Sequence, residues 1–325
     1  MRIGGTNLFL VLIAHVFLFA DCACADDNKT SNTNSSSSSF RLPQTLIPKH
    51  YDLFIYTDVK EPDFKFNGKV IIQLTCKQDT NDLVIHMYNL TLTDNTISRN
   101  PFTGSSTNGT SPTTNGTSHP GGPGGNSSTG GDHPKSHKYD EDNKIYTATF
   151  DTPFKSGQEY TVEIPFDGVL HDLQGFYRSS YKVNNQSKWI AVTQFQPIDA
   201  RRAFPCFDEP SFKATFSINL GHPKTLKSVS NMPLDKTEPS VPEKPDWVLD
   251  VFKKSPPMST YLVAFVFSDY ESVEAKKKAG NVTIKAWTRK ELLNLTNDAL
   301  NVAPDFLTFS KATSAYLARY PKWTC

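Results

Sequence analysis

The stretch "HYDLFIYTDV", residues 50–59, decides the fold class, because its side chains alternate with a period of two. Tyr51, Leu53 and Ile55 fall on one side of an extended chain, and the residues between them fall on the other. The stretch "GKVIIQLTC" (68–76) repeats the alternation with Val70 and Ile72. Both stretches therefore predict β-strands.

Further short runs extend this pattern along the chain. They are rich in β-branched and aromatic residues, and Pro, Gly and Asn separate them. The fold class predicted is mainly β, an antiparallel domain of sandwich or saddle form. The runs are "DLVIHMYNLTL" (82–92), "KIYTATF" (144–150), "EYTVEIPF" (159–166), "KWIAVTQF" (188–195), "KATFSINL" (213–220), "WVLDVFK" (247–253) and "TYLVAFVFSDY" (260–270), and a charged hairpin (274–287) leads into a last strand.

The N-terminus has the pattern of a signal peptide over residues 1–25. Arg2 precedes an apolar run (7–20), and "ACA" (23–25) offers a cleavage site after Ala25. A membrane anchor is the alternative, but the run has about 14 residues where spanning takes about 20. No later segment reaches that length, so no membrane span is expected after signal removal. The mature chain is expected to be secreted or luminal.

Charge and cysteine content exclude several classes of protein. Lys and Arg total 34 against 33 Asp and Glu, so nothing favours nucleic acid or an anionic membrane as a partner. Signal cleavage would remove Cys22 and Cys24, and the three cysteines left do not make a disulfide scaffold. Cys206 is expected to be a buried free thiol, and Cys325 a free or intermolecular one.

Nine Asn-x-Ser/Thr sequons agree with an exported glycoprotein. Any sequon that carries glycan must lie at the surface, because the sugar is bulky and hydrated. The candidate sites are Asn28, Asn34, Asn89, Asn108, Asn115, Asn126, Asn185, Asn281 and Asn294.

Two segments are too polar to bury a core. Residues 26–39 predict a flexible stalk, and residues 101–134, rich in Gly, Ser, Thr, Pro and Asn, predict a disordered insertion between two strands. His119, His133 and His137 suggest a metal site there. A glycosylated loop is favoured instead, because no carboxylate or Cys lies at ligand spacing.

Residues 296–320 predict a helix, with Thr296 as its cap and Asp298 in its first turn. Pro304 should bend the helix or mark its start. An apolar stripe at helical spacing needs a partner surface: the β-domain, another molecule or further sequence. Its members are Val302, Phe306, Phe309, Tyr316 and Tyr320, with Thr313 completing the stripe.

The stretch "TQFQPIDARRAFPCFDEP", residues 193–210, carries the candidate site. Its prolines predict a rigid corner, in which Arg201 and Arg202 pair with the Asp-Glu at 208–209 above a phenylalanine core. Gln194 and Gln196 stand two apart on a strand and so share one face. Their carbonyl oxygens can accept hydrogen bonds from an ammonium group, so this face is a candidate pocket for a peptide amino terminus.

This stretch resembles the signature of the zinc aminopeptidases of the aminopeptidase N family. The resemblance covers about 40–322 without the insertion. It implies a saddle-like N-terminal β-domain (40–272), then a last strand and the start of a truncated catalytic domain (273–325). It also implies that Gln194 and Gln196 help to hold the substrate's amino terminus. Further blocks in family order are "RLPQTLIPKHYDLFI" (41–55), "GFYRSSY" (175–181), "SNMP" (230–233), "PPMSTYLVAFVFSDY" (256–270) and "ALNVAPDFLTF" (299–309).

The sequence departs from the family at the residues of catalysis. The family's GAMEN stretch and H-E-x-x-H zinc helix are absent, and no His is followed by Glu. No catalytic residue, metal ligand or bound cofactor is therefore expected in this chain, and it should be inactive alone. A secreted binding or decoy module, with a protein partner for the C-terminal helix, is the alternative. His50, His86, His171 and His222 are interpreted as surface or hydrogen-bonded structural residues.

Overall fold

A computed structural model describes residues 41–92, 97–102, 131–239, 244–280 and 282–318. Strands dominate these residues, and one long helix follows them. The strands are β1 (Leu46–Thr57), β2 (Lys65–Cys76), β3 (Thr80–His86), β4 (Leu90–Thr91), β5 (Ser98–Pro101), β6 (Pro134–Asp140), β7 (Ile145–Phe154), β8 (Glu159–Val169), β9 (His171–Asp172), β10 (Gly175–Val183), β11 (Gln186–Gln194), β12 (Thr215–Pro223), β13 (Lys227–Ser230), β14 (Leu234–Glu238), β15 (Trp247–Phe252), β16 (Phe265–Ser268), β17 (Glu271–Glu274) and β18 (Lys285–Thr288), and the helix is α1 (Asn297–Ala318).

The strands form four sheets. The largest has the order β14-β15-β12-β1-β2-β8-β4, with β5 also paired to β8. The others are β13-β16-β11-β10-β9, β3-β7-β6 and the hairpin β17-β18. The mainly β prediction is confirmed, and most neighbouring strands are antiparallel.

The pairing of β1 with β12 is an exception within the mostly antiparallel sheets. The two strands run parallel, with His50 opposite Thr215 and Tyr56 opposite Gly221. Parallel neighbours need a long crossover, which the chain between them supplies. The short pair β9–β10 is also parallel.

The alternation read from the sequence places the core of the largest sheet. Tyr51, Leu53 and Ile55 are each fully buried, whereas the residues between them are partly exposed. The Tyr51 ring stacks on Phe216 of the parallel neighbour with centroids 4.7 Å apart. Burial of one face of β1 thus fixes its register in the middle of the sheet.

Arg99 closes the base of the predicted insertion. Its backbone exchanges two hydrogen bonds with Asp132, at 2.8 and 2.9 Å. Its guanidinium pairs with the Asp132 carboxylate, donates to the Thr152 carbonyl at 2.8 Å and lies 4.4 Å from the centroid of the Phe154 ring. The predicted insertion (101–134) is therefore too wide at both ends, because 101–102 and 131–134 are built into the domain.

The described residues divide into two compact units, 41–224 with 228–266, and 225–227 with 267–318. In the smaller unit, one face of α1 packs Leu300 and Leu307 against Ile284 and Ala286. Asp298 lies in the first turn of α1, as predicted.

One detail of this helix differs from the prediction. Thr296 does not cap α1, because its hydroxyl donates backwards to the Leu293 carbonyl at 2.7 Å, within a 3₁₀ turn (Lys290–Thr296) that leads into the helix. Pro304 lies inside α1, so of the two predicted roles it does not mark the start of the helix.

Several predictions lie wholly or partly outside the described residues. They concern the signal peptide and the stalk, insertion residues 103–130 with His119, the Tyr320 end of the helix, and Cys325. The sequons at Asn28, Asn34, Asn108, Asn115, Asn126 and Asn281 also lie outside them. Within the described ranges, no helix is both long and apolar enough to cross a membrane.

Candidate functional site

The candidate site begins where β11 ends, at Gln194. A 3₁₀ turn over Ala200–Arg202 then reverses the chain. Three phenylalanines of the corner, Phe204, Phe207 and Phe212, are each at most 2% exposed and form its floor, as predicted.

An ion pair holds the corner from inside. The Arg201 Nε donates to Asp208 Oδ2 at 3.0 Å, and both side chains are buried. The Arg201 guanidinium also donates to the Asp208 carbonyl at 3.1 Å, and the Thr260 hydroxyl donates to Asp208 Oδ1 at 2.6 Å. Both carboxylate oxygens are thus satisfied, which a buried charge requires.

His86 joins this network from a distant strand. The Asp208 backbone N–H donates to His86 Nδ1 at 3.2 Å, so this ring nitrogen carries no proton. Burial, with a smaller contribution from the nearby Arg201 charge, lowers the pKa of His86 to about 3. His86 is therefore neutral in the native protein and acts as an acceptor that positions the corner.

Cys206 lies in the same buried layer. Its backbone exchanges hydrogen bonds with the backbone of His86, at 2.8 and 3.1 Å. The thiol is free and fully buried, as predicted, and burial raises its pKa well above the usual value. A protonated, inaccessible thiol is not a nucleophile.

The other charged residues of the corner do not pair as predicted. Arg202 pairs with Asp199 (2.6 Å), and its guanidinium lies 4.3 Å from the Tyr88 ring centroid. Glu209 accepts from the Leu42 backbone N–H at 2.6 Å and from the Arg41 guanidinium at 3.2 Å. Only Arg201–Asp208 follows the prediction, because nearer or better-placed partners satisfy the other two.

Gln194 and Gln196 lie at the outer edge of the corner. The prediction placed both on a strand, but β11 ends at Gln194 and Gln196 lies in the turn that follows. Both side chains are exposed, and Phe195 between them is 2% exposed. The contact between them is a long hydrogen bond of 3.5 Å, from Gln194 Nε2 to the Gln196 carbonyl. Gln194 lies opposite Gly175 in the β10–β11 pair, and the Arg202 side chain packs against that glycine. The arrangement leaves the amide groups accessible to a polar ligand.

The histidines that the structure describes are not gathered into a metal site. His50 contacts Thr215 Oγ1 (2.7 Å) and Asp52 Oδ1 (3.1 Å), and His222 contacts Asp250 Oδ2 at 3.0 Å, so both are hydrogen-bonded structural residues. Among the described residues, no three His, Cys, Asp or Glu side chains are grouped to hold a metal. The described part of the chain therefore does not fit a zinc centre.

The links of three residues to this network were not predicted from the sequence, although His86 was interpreted as a surface or hydrogen-bonded structural residue. Thr260 is 52 residues from Asp208 and His86 is 122 residues from it. The Tyr51 hydroxyl, 156 residues away, accepts a hydrogen bond from the Phe207 backbone N–H at 3.2 Å. No local pattern marks them, because their role depends on strand pairing between distant segments.

Comparison of the sequence with known proteins identifies relatives of this chain. Residues 125–262 match the Peptidase M1 N-terminal domain. Aminopeptidase N of Oryctolagus cuniculus is 32% identical over 86% of this chain and 27% of that protein, and aminopeptidase N of Homo sapiens is 33% identical over 88% and 28%. Endoplasmic reticulum aminopeptidase 1 of Rattus norvegicus is 30% identical over 93% and 30%. The chain thus spans less than a third of the length of these relatives.

Proposed function

The chain belongs to the aminopeptidase N family, and on this premise we propose that its N-terminal β-domain supplies one wall of a pocket for a peptide amino terminus. The observation that carries the proposal is the exposure of Gln194 and Gln196 beside a corner that the buried Arg201–Asp208 ion pair holds. Amide side chains at the end of a strand and in the turn after it can receive a ligand without reorganising the fold.

The chemistry of this pair suits a free amine. An ammonium group donates three hydrogen bonds and accepts none, and each glutamine offers a carbonyl oxygen. Because both glutamines are neutral, they would bind the ammonium ion through dipoles rather than through a full opposite charge. Such charge-assisted bonds are stronger than bonds between neutral groups.

Catalysis is not part of the proposed role. The 325 residues contain neither GAMEN nor H-E-x-x-H, and the described residues offer no set of three metal ligands. We infer that these residues alone do not hydrolyse peptides, and that zinc-assisted release of an N-terminal residue requires a catalytic domain with those motifs.

The test of inactivity uses the purified chain with added zinc and an aminoacyl-coumarin substrate. We expect no release of coumarin above a mock purification that lacks the chain. Turnover that co-purifies with the chain, and that a chelator abolishes, would contradict this inference.

The test of the glutamine pair is a titration followed by NMR of the side-chain amides. Alanine amide should shift the Gln194 and Gln196 resonances, and N-acetylalanine amide, which lacks the ammonium group, should not. The matched control is Gln186→Ala, at the exposed opposite end of β11, which should leave the response intact. Equal responses to both ligands would refute recognition of the amine.

We also infer that the chain is exported. The predicted signal peptide supports this, as do the described sequons at Asn89, Asn185 and Asn294, all of which are exposed. N-terminal sequencing of the secreted protein should begin at Asp26, and retention of residues 1–25 would contradict cleavage.

A second candidate function, a binding or decoy module, has its own support. Val302 and Phe306, on the face of α1 opposite Leu300 and Leu307, are each 64% exposed. A helix that is apolar on two sides normally buries both, so this face is suited to a protein partner. Sedimentation of the chain and of Phe306→Lys, with Asn301→Lys as control, tests self-association. Unchanged monomers throughout would count against a second copy as that partner.

A further inference from the structure

The loop between β3 and β4 forms one side of a surface pocket outside the candidate site. The pocket has a volume of about 620 Å³, within the range of about 300–1,000 Å³ that is usual for small-molecule sites. Strand β6 and the turn after it form the other side. Tyrosine, histidine and charged side chains line the pocket, among them Tyr88, His137, Tyr139, Glu141 and Tyr146.

One of its rings is held as an open platform. Tyr139 is 38% exposed, and its hydroxyl donates to the Met87 carbonyl at 3.0 Å, which fixes the ring. Tyr88 is already engaged, because Lys144 Nζ lies 4.5 Å and the Arg202 guanidinium 4.3 Å from its ring centroid. Tyr139 is therefore the ring best placed to meet a ligand.

Polar groups stand beside that ring. His137 lies two residues before Tyr139 on β6, so both fall on the same face, and its Nδ1 contacts the Tyr146 hydroxyl at 2.6 Å. Glu141 is exposed at the pocket margin. An aromatic platform with hydrogen-bonding groups at its edge suits a sugar, whose C–H groups face the negative π-surface while its hydroxyl and amide groups bond outward.

The pocket also contains an asparagine to which an N-linked sugar could be attached. Asn89 lines it, is exposed and heads the sequon Asn89-Leu90-Thr91. Its φ of 55° places it at a bend of the backbone between β3 and β4. Asn185 (φ 63°) and Asn294 also head exposed sequons, but neither lines this pocket.

We propose that the pocket seats the proximal N-acetylglucosamine of an N-glycan carried by Asn89, with the sugar stacked on Tyr139. Tethering raises the effective concentration of the sugar, so a shallow pocket suffices to hold it. The glycan then covers the gap between β4 and β6 rather than projecting freely into solvent.

The test uses the full chain secreted from a eukaryotic host that adds N-glycans. Glycopeptide mass spectrometry should find Asn89 occupied. Under native conditions, peptide N-glycosidase should release this glycan about two- to tenfold more slowly than those on Asn185 or Asn294, the range that one aromatic stack provides. Denaturation should remove the difference.

Two variants separate stacking from general crowding. Tyr139→Ala should bring the native release rate at Asn89 up to that of the other sites, and Tyr139→Phe, which keeps the ring, should preserve most of the protection. Lys138→Ala, an exposed neighbour on the opposite face of β6, should change nothing. Absence of glycan on Asn89, or a release rate at Asn89 that does not respond to Tyr139→Ala, would overturn the proposal.

A free sugar is the other source of the same chemistry. Asn89→Gln titrated with diacetylchitobiose should bind only weakly, because the tether is lost. Micromolar binding that depends on Tyr139 would assign the pocket to a soluble or partner-borne sugar and would overturn the tethered arrangement.

Discussion

Residues 193–198 and 199–210 form one continuous stretch, but their polar side chains differ in burial and in hydrogen bonding. The second part is buried, and its charges are paired: Arg201 with Asp208, and Arg202 with Asp199. The first part exposes Gln194 and Gln196, joined by one long hydrogen bond. The difference shows that polar residues of one motif can have two roles. Buried polar side chains form hydrogen bonds within the fold, whereas exposed ones remain available to ligands.

The largest expected effect comes from a substitution in the buried part of the stretch, residues 199–210. Asp208→Ala leaves the Arg201 guanidinium without its buried counter-ion and the Thr260 hydroxyl without its acceptor. We expect a loss of about 3–5 kcal/mol in the free energy of unfolding, measured by urea titration. The control is Asp199→Ala, which removes the partner of the more exposed Arg202 and should cost about 1 kcal/mol or less. Equal losses would show that burial does not distinguish the two pairs.

The next effect appears as a pH dependence. The native ring of His86 gains a proton only near pH 3, whereas in the unfolded chain it does so near about pH 6.5. Between these values the unfolded state holds the extra proton, so stability falls as the pH is lowered, by about 1.4 kcal/mol per pH unit at most.

His86→Asn isolates this contribution. The amide oxygen of the variant can accept the bond from the Asp208 N–H, but it does not titrate. The difference in unfolding free energy between wild type and variant should therefore shrink as the pH falls from 6.5 towards 3. A constant difference across that range would mean that His86 does not stay neutral in the native state.

The smallest expected effect comes from a substitution in the exposed part of the stretch, residues 193–198. Gln196→Ala should change the free energy of unfolding by no more than about 0.5 kcal/mol, since the side chain is at the surface. In a complete enzyme that carries this domain, the same change should raise the Michaelis constant. An unchanged Michaelis constant would argue against the pocket role.

The sequence predicts strands well where burial is one-sided and local. In β1, the buried positions Tyr51, Leu53 and Ile55 follow the period-two pattern directly. Strand β10 shows no such pattern, because only its first two residues are buried, and it was noticed only as a block of the family resemblance. The parallel neighbour of β1 lies about 165 residues further along the chain, and no local pattern encodes such a pairing.

The candidate site likewise has a part that the sequence predicts and a part that it does not. The exposed glutamines could be selected from the sequence, although the strand on which their shared face was predicted ends at Gln194 and leaves Gln196 in a turn. The partners of the corner could not, because Arg41, His86 and Thr260 reach it from three separate segments. Charge alone suggested that Arg202 pairs within 208–209, yet Asp199, three residues before it, is its partner.

The Arg99–Asp132 junction has a consequence for how this protein can change. It brings residues 99 and 132 together with backbone bonds of 2.8 and 2.9 Å, and residues 100–102 pair with β8, so the domain is joined here without any contribution from residues 103–130. The entropy of closing a loop grows only with the logarithm of its length. A change in the number of residues between 102 and 131 should therefore carry little entropic penalty, and the same junction offers protein engineers an insertion point for a foreign epitope.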